Sequence, residues 1–290
     1  MISLSVWLDG STSLSDLCRR IVYRFMPASV RRVVVATLGR SWPFECPVCE
    51  NRVSRFFPLP AFYLSKLRES GSDLRPIDFE TCNSEAYECT HCGASDRDRL
   101  YALYVAERFT SAGSSGRELA VLDIAPSTAL SRYITGHYDV RYRTADLLRD
   151  DVDDKVDVTA MTCYTDGSFD ALICSHVLEH VTDDRQAMRE LFRILKPGGW
   201  GIVMVPIHTS LDGVREHPVS TDADRWKYFG QNDHVRLYSR HGFVSRLQHV
   251  GFHVLELGRE YFGTERMTRC GISPASVMYV AEKLGSDLGG

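Results

Sequence analysis

The sequence has no apolar run approaching the roughly 20 residues that a bilayer-spanning helix needs, so none of it reads as a membrane span. It also lacks a charged, apolar, small-residue leader of the secretory kind, and its nine cysteines form an odd set. Both points argue against a disulfide framework and for a reducing cytoplasm, where paired cysteines more often hold metal. An excess of positive charge is missing too. With a net charge of −4 and a pI near 6.2, the chain offers no general attraction to polyanions, which lowers the case for a nucleic-acid partner. Repeats and low-complexity tracts are absent as well. What is present is 290 residues, 44% hydrophobic and 25% charged. That is an ordinary globular composition, with room for one α/β domain of roughly 150–200 residues and a smaller module.

From Ser13 to about Leu38 the spacing predicts basic helical segments: Leu14, Leu17, Ile21, Val22 and Phe25 share a face, and Arg19, Arg20, Arg24, Arg31 and Arg32 carry the charge. Such a helix either docks on its own protein or meets a membrane surface or nucleic acid. Two cysteine pairs follow. Cys46-Pro-Val-Cys49 and Cys89-Thr-His-Cys92-Gly93 each place two thiolates on a tight turn, and two such knuckles build a tetrahedral zinc site. Four thiolates saturate zinc, so the expected role is folding and not chemistry. Cys82 and His91 are spare ligand candidates, and Val53 to Tyr63, with Pro58 and Pro60, reads as strand and loop between the knuckles.

A helix from Asp96 to Phe109 leads to Ser111–Gly116, a hinge-like stretch, after which strands and helices alternate. Val121–Ala125, Asp139–Thr144, Phe169–Ser175 and Trp200–Pro206 read as strands. Ser127–Thr135 and Asp183–Leu195 read as helices, the second stopped by Pro197-Gly198-Gly199. Gly251–Leu257 and Ser276–Ala281 supply two more strands. This order implies an α/β fold, a doubly wound and mostly parallel sheet with ligands bound at the carboxyl ends of its strands.

Three segments resemble the class I S-adenosylmethionine (SAM) dependent methyltransferases, of the methyltransferase type 11-like kind, over roughly residues 118–284. They are Val121-Leu-Asp123-Ile-Ala125-Pro-Ser127-Thr-Ala129, then Asp166-Gly-Ser-Phe-Asp170-Ala-Leu-Ile-Cys-Ser175-His176-Val-Leu-Glu-His180-Val, then Arg189-Glu-Leu-Phe-Arg-Ile-Leu-Lys-Pro-Gly-Gly199. With the cysteine pairs, the chain is similar to a bacterial subset that carries a zinc-knuckle region before the catalytic fold. The first segment departs from the family pattern: Ala125, Pro126, Ser127 and Ala129 stand where glycines are usual. The resemblance implies a seven-stranded Rossmann-like sheet and this division: 1–41 helical segment, 42–94 zinc-ribbon-like module, 95–117 helix and linker, 118–284 catalytic domain, 285–290 tail. No Gly-x-Gly-x-x-Gly follows the first strand, which speaks against a nicotinamide dehydrogenase. SAM carries no phosphate and needs no such loop.

The resemblance also implies site roles. Asp123, Ala125, Ser127 and Ala129 would face the methionine moiety, and Asp146 with Leu147 the ribose. Asp157 and Val158 would meet the adenine edge, Ser175 and His176 the sulfonium, and Arg97 and Arg99 the methionine carboxylate. A base for an O–H or N–H acceptor is sought among the histidines beyond the fifth strand, with His234 and His208 foremost. Asp233 would orient His234, Arg236 would bind an anionic substrate, Tyr238 would line the same polar stretch, and Trp226 would sit in a lid over 209–228. The expected activity is methyl transfer to oxygen or nitrogen of a small metabolite or glycan. The alternatives are an RNA methyltransferase with an N-terminal zinc module, and a non-catalytic interaction protein.

Overall fold

The computed structural model describes residues 42–114, 116, 118–219 and 221–285; the basic segment 13–38 and residues 286–290 lie outside the described residues. The cysteine region opens with a hairpin, Phe44–Cys46 (β1) against Asn51–Val53 (β2), and a second antiparallel pair, Phe56–Phe57 (β3) against Glu88–Cys89 (β4). Between them lies helix α1, Ala61–Glu69. The strand-and-loop expectation for 53–63 therefore gives way at Ala61. Pro60 occupies the position just before the helix, where its missing N–H and fixed φ cost nothing. Helix α2, Asp96–Ser114, starts in a reciprocal cap: Asp98 N donates to Ser95 Oγ (3.1 Å) and Ser95 N donates to the Asp98 carboxylate (2.8 Å). It runs through most of the expected hinge and ends before Gly116, whose φ of 69° is left-handed.

The strands Leu119–Ile124 (β5), Val140–Asp146 (β6), Asp154–Lys155 (β7), Phe169–Ser175 (β8), Leu195–Met204 (β9), His253–Leu257 (β12) and Met278–Glu282 (β13) make one seven-stranded sheet, in the order β12-β13-β9-β8-β5-β6-β7. The five strands from β7 to β9 are parallel, and β13 is antiparallel to both its neighbours. β5 and β8 are buried along nearly their whole length, as a strand covered by helices on both faces must be. Helices Thr128–His137 (α3) and Asp184–Ile194 (α4) begin at side-chain caps: Ser127 Oγ accepts from Leu130 N, and Asp183 accepts from Gln186 N. The Lys-Pro-Gly-Gly stretch was expected as a turn and instead opens β9, with a register irregularity opposite Phe169–Ala171. Glycine is required at its last position, since a Cβ on Gly199 would meet Lys196 O at 2.8 Å and Asp170 O at 3.0 Å, and again at Gly201, where a Cβ would meet Leu172 Cδ1 at 2.5 Å.

Between β9 and β12 the chain forms a short pair, Arg215–Glu216 (β10) with Arg236–Leu237 (β11), and helices Asp222–Phe229 (α5) and Arg240–Val250 (α6). Short helices Arg259–Phe262 (α7) and Thr264–Arg269 (α8) precede β13. One buried cluster runs without a break from Cys46 and Phe56 through α2 into the sheet, so the cysteine module shares the main core. A second, smaller cluster joins Leu67 of α1 and Leu74 to Phe229 and Leu237, with Trp226 packed beside it. The stretch expected as a lid thus carries a helix of its own that packs against α1. Among the described residues no helix is long and apolar enough to cross a membrane.

Candidate functional site

The connections leaving β5 and β8 run to opposite sides of the sheet, which opens a crevice at their carboxyl ends. A cavity of about 270 Å³ lies there, lined by residues of α2 (Arg97, Asp98, Tyr101), by Asp123, Ala125 and Ser127 after β5, and by Ser175 closing β8. Ala125 takes a left-handed φ of 56° and is exposed, so its backbone faces the opening; its own N–H is held by Ala145 O at 2.8 Å. Pro126 is fixed from the other side by Arg149, which donates to its carbonyl at 2.6 Å. Tyr101 Oη and Ser175 Oγ lie 2.8 Å apart across the wall.

Asp123 is the chemically distinctive group. Its carboxyl is buried and accepts a hydrogen bond from Tyr142 Oη, which also contacts Ser131 at 3.0 Å. Burial pushes its pKa up to about 7, with the nearby Asp98 charge adding to the rise and the Tyr142 bond and the Arg149 charge opposing it. A carboxyl kept in this state gains from a ligand that brings positive charge. Tyr101, Asp98 and Tyr142 carry no motif that marks them in the sequence; the i, i+4 relation between Arg97 and Tyr101 on α2 is the one signal for Tyr101.

Of the other expected cofactor residues, Ala129 lies in the first turn of α3, and Asp146 ends β6 with Oδ1 accepting from Leu148 N (2.7 Å) and Arg149 N (3.0 Å). Leu147 is exposed beside it. Asp157 is exposed and holds Thr159 through a turn (2.8 Å to N, 2.7 Å to Oγ1), whereas Val158 is buried. His176 follows Ser175 at a left-handed φ of 57°, with Nδ1 3.0 Å from Glu179 Oε1. Burial, aided by the nearby Arg97 charge, lowers its pKa to about 4.

Arg99 points away from the cavity. All five of its N–H groups are taken by backbone carbonyls: Cys270 (2.7 Å), Tyr87 (3.3 Å), Ala94 (2.8 Å), Gly271 (3.0 Å) and Ala86. Its guanidinium also lies over the Phe56 ring at 4.0 Å. It ties the cysteine module to the end of α8 and has no donor left for a methionine carboxylate. Arg236 is likewise committed. It is buried and donates to Glu216 (2.9 Å), Leu178 O (2.9 Å), Thr182 O (2.8 Å) and Val181 O, so it does not present itself to an anionic substrate. Tyr238 is buried with Oη on Asp184 at 2.6 Å. Trp226 packs edge-on to Phe62 of α1, 6.2 Å between centroids. His208 follows β9, mostly buried against the Phe79 ring, with burial lowering its pKa. His234 is buried with Nδ1 on Phe229 O at 3.1 Å, while Asp233 lies 3.4 Å from His180 Nδ1 and so faces the other histidine.

The four knuckle thiols converge. Cys46 Sγ and Cys92 Sγ are 3.7 Å apart, Cys49 Sγ and Cys89 Sγ 4.0 Å, and all four sulfurs lie within 4.8 Å of one another. The turns are built for this: Gly93 N donates to Cys89 O (3.0 Å), His91 N points at Cys89 Sγ (3.4 Å), and Gly93 and Glu50 take left-handed φ values of 77° and 56°. Cys82 and His91 are not part of this group.

A family model described as a methyltransferase domain matches residues 76–257, more than half of the chain. A ubiquinone/menaquinone biosynthesis C-methyltransferase UbiE of Salmonella paratyphi B is 28% identical over 104 residues, 31% of this chain and 41% of that protein. The chain thus spans less than half the length of the curated relatives it matches. Among solved structures, a Haemonchus contortus phosphoethanolamine N-methyltransferase 2 aligns with a TM-score of 0.41 at 14% identity, over 66% of this chain and 54% of that one. A Burkholderia thailandensis 1,6-didemethyltoxoflavin-N1-methyltransferase aligns with a TM-score of 0.40 at 12% identity, over 65% and 87%.

Proposed function

The chain belongs to the methyltransferase-domain family, and from this we propose that it is a SAM-dependent methyltransferase acting on oxygen or nitrogen of a small metabolite or glycan. The observation that carries the reading is the cavity at the β5/β8 crevice, where a buried carboxyl, an exposed backbone turn and an arginine meet. SAM presents complementary groups. Its ammonium fits Asp123, its carboxylate fits Arg97, its ribose diol fits the outer oxygen of Asp146, and its adenine fits the exposed Leu147 with Asp157 and the Val158 amide. SAM supplies a methyl carbon already activated by a sulfonium leaving group; the protein positions and shields it. An O–H or N–H acceptor then needs a base. His208 is our candidate, since burial keeps it neutral and able to accept a proton at pH 7.

We further propose that the four cysteines hold a structural zinc. A tetrahedron with Zn–S bonds of about 2.3 Å has edges of roughly 3.8 Å, and the 3.7 and 4.0 Å sulfur separations match it. The cysteine usage also supports a reducing cytoplasm as the compartment. Methyl-labelled SAM incubated with cell extracts fractionated by size and class tests the acceptor assignment. Label in the small polar or glycan fractions is expected; label confined to RNA would overturn that assignment and favour the basic segment 13–38 as an RNA contact.

A further inference from the structure

Glu179, His180 and His234 converge at a place that the cofactor reading does not use. The first two lie in the turn after β8 and the third between α5 and β11, and one ligand atom from each lies within 4.8 Å of the others. His234 Nδ1 sits on Phe229 O, and a carbonyl only accepts, so Nδ1 carries the proton and Nε2 presents a lone pair. That Nε2 is buried without a hydrogen-bond partner. Both carboxylate oxygens of Glu179 are buried and lack an aligned hydrogen bond, with His176 Nδ1 within ion-pair distance of one. The His180 ring stands edge-on to His234, 4.7 Å between centroids, and its Nδ1 lies 3.4 Å from Asp233.

Leaving a buried acceptor and a buried carboxylate unsatisfied costs several kcal/mol by general reckoning. A network closed on His176 alone would still leave His234 Nε2 facing nothing. A cation satisfies both groups at once. The surroundings also have the form of a metal site's outer shell, with one ring nitrogen of each histidine held by a carbonyl or a carboxylate. We propose that Glu179, His180 and His234 bind a divalent first-row transition cation, distinct from whatever the four cysteines hold. Two imidazoles and one carboxylate select zinc-like or iron-like ions over magnesium or calcium. Three protein ligands leave positions for water or an acceptor oxygen, and through Glu179 the site touches His176, the residue after Ser175 of the cavity wall.

The test uses the full chain loaded with Co2+ and dialysed, with metal content read by mass spectrometry and ligand type by absorption. Two equivalents are expected in the wild type, only one of them with thiolate charge-transfer bands. His180 is partly exposed, so His180→Ala should fold, with circular dichroism as the check, and should retain only the thiolate-bound ion. Asp233→Asn should weaken the second equivalent by roughly 10–100-fold. Should the cysteines bind nothing, a lone equivalent without thiolate bands that His180→Ala removes still supports the proposal. Wild type holding only thiolate-bound cobalt overturns it, as does a second equivalent that survives His180→Ala and His234→Gln.

Discussion

Replacing Asp123 by Asn removes a charge but keeps the oxygen that accepts from Tyr142. The wild-type carboxyl rises from its ordinary 3.8 to about 7 on burial. At about 1.4 kcal/mol per pH unit this corresponds to roughly 4 kcal/mol of folding free energy as an upper figure. The sign follows from proton binding: between pH 4 and 7 the folded chain holds a proton that the unfolded chain has released, so this group's contribution to stability falls as pH rises through that window. Asp123→Asn should remove that dependence and make the ligand-free protein more stable at pH 8, by up to roughly 8–16 °C in Tm for a chain of this size. SAM binding should move the other way. In the wild type, affinity should fall below pH 7 as the carboxyl takes up its proton, whereas the variant should bind about 1–3 kcal/mol more weakly at pH 8 and show little pH dependence. Thermal melts and calorimetry from pH 5 to 8.5 provide both readings. A variant with the wild-type pH profile in both would refute the assignment of Asp123 as the buried, ligand-facing acid.

Asp146→Ala should weaken SAM binding by about 1–3 kcal/mol and lower the melting temperature by only a few degrees through loss of its bonds to Leu148 N and Arg149 N, as measured by calorimetry and thermal denaturation. Cys46→Ser should lower zinc content and destabilise the module, checked by metal analysis and limited proteolysis; unchanged zinc would show that the thiol cluster holds no metal. Arg99→Leu should cost at least about 3 kcal/mol in denaturant unfolding, since it removes five hydrogen bonds, including the Arg99 donors to the Cys270, Tyr87 and Ala86 carbonyls, while Ala94 O and Gly271 O keep Cys89 N and Asn83 Nδ2. A variant that folds normally and merely loses SAM affinity would instead return Arg99 to the cofactor.

The sheet and most helices were legible because each depends on local pattern. The apolar run Phe169–Ser175 is a buried strand, and Ser127 and Asp183 cap the helices expected after them. The Lys-Pro-Gly-Gly stretch differs from a plain helix stop because Gly199 lies against the Lys196 and Asp170 carbonyls as the chain enters β9. Arg99 and Arg236 depart from their expected roles for a different reason. Their partners, Cys270 and Gly271 for one, Leu178 and Thr182 for the other, are distant in sequence, and an arginine bonded to carbonyls has the same local context as one awaiting a ligand. The pairing of α1 with α5 was hidden likewise, since each helix alone shows too few apolar positions to reveal its mate.

Calorimetric titration of the purified, metal-loaded chain with SAM tests the central claim most directly. Saturable binding of one SAM per chain, weakened by Asp146→Ala, is expected; a folded protein that gives no binding heat across several temperatures and gains no protection against thermal unfolding from SAM would contradict the claim.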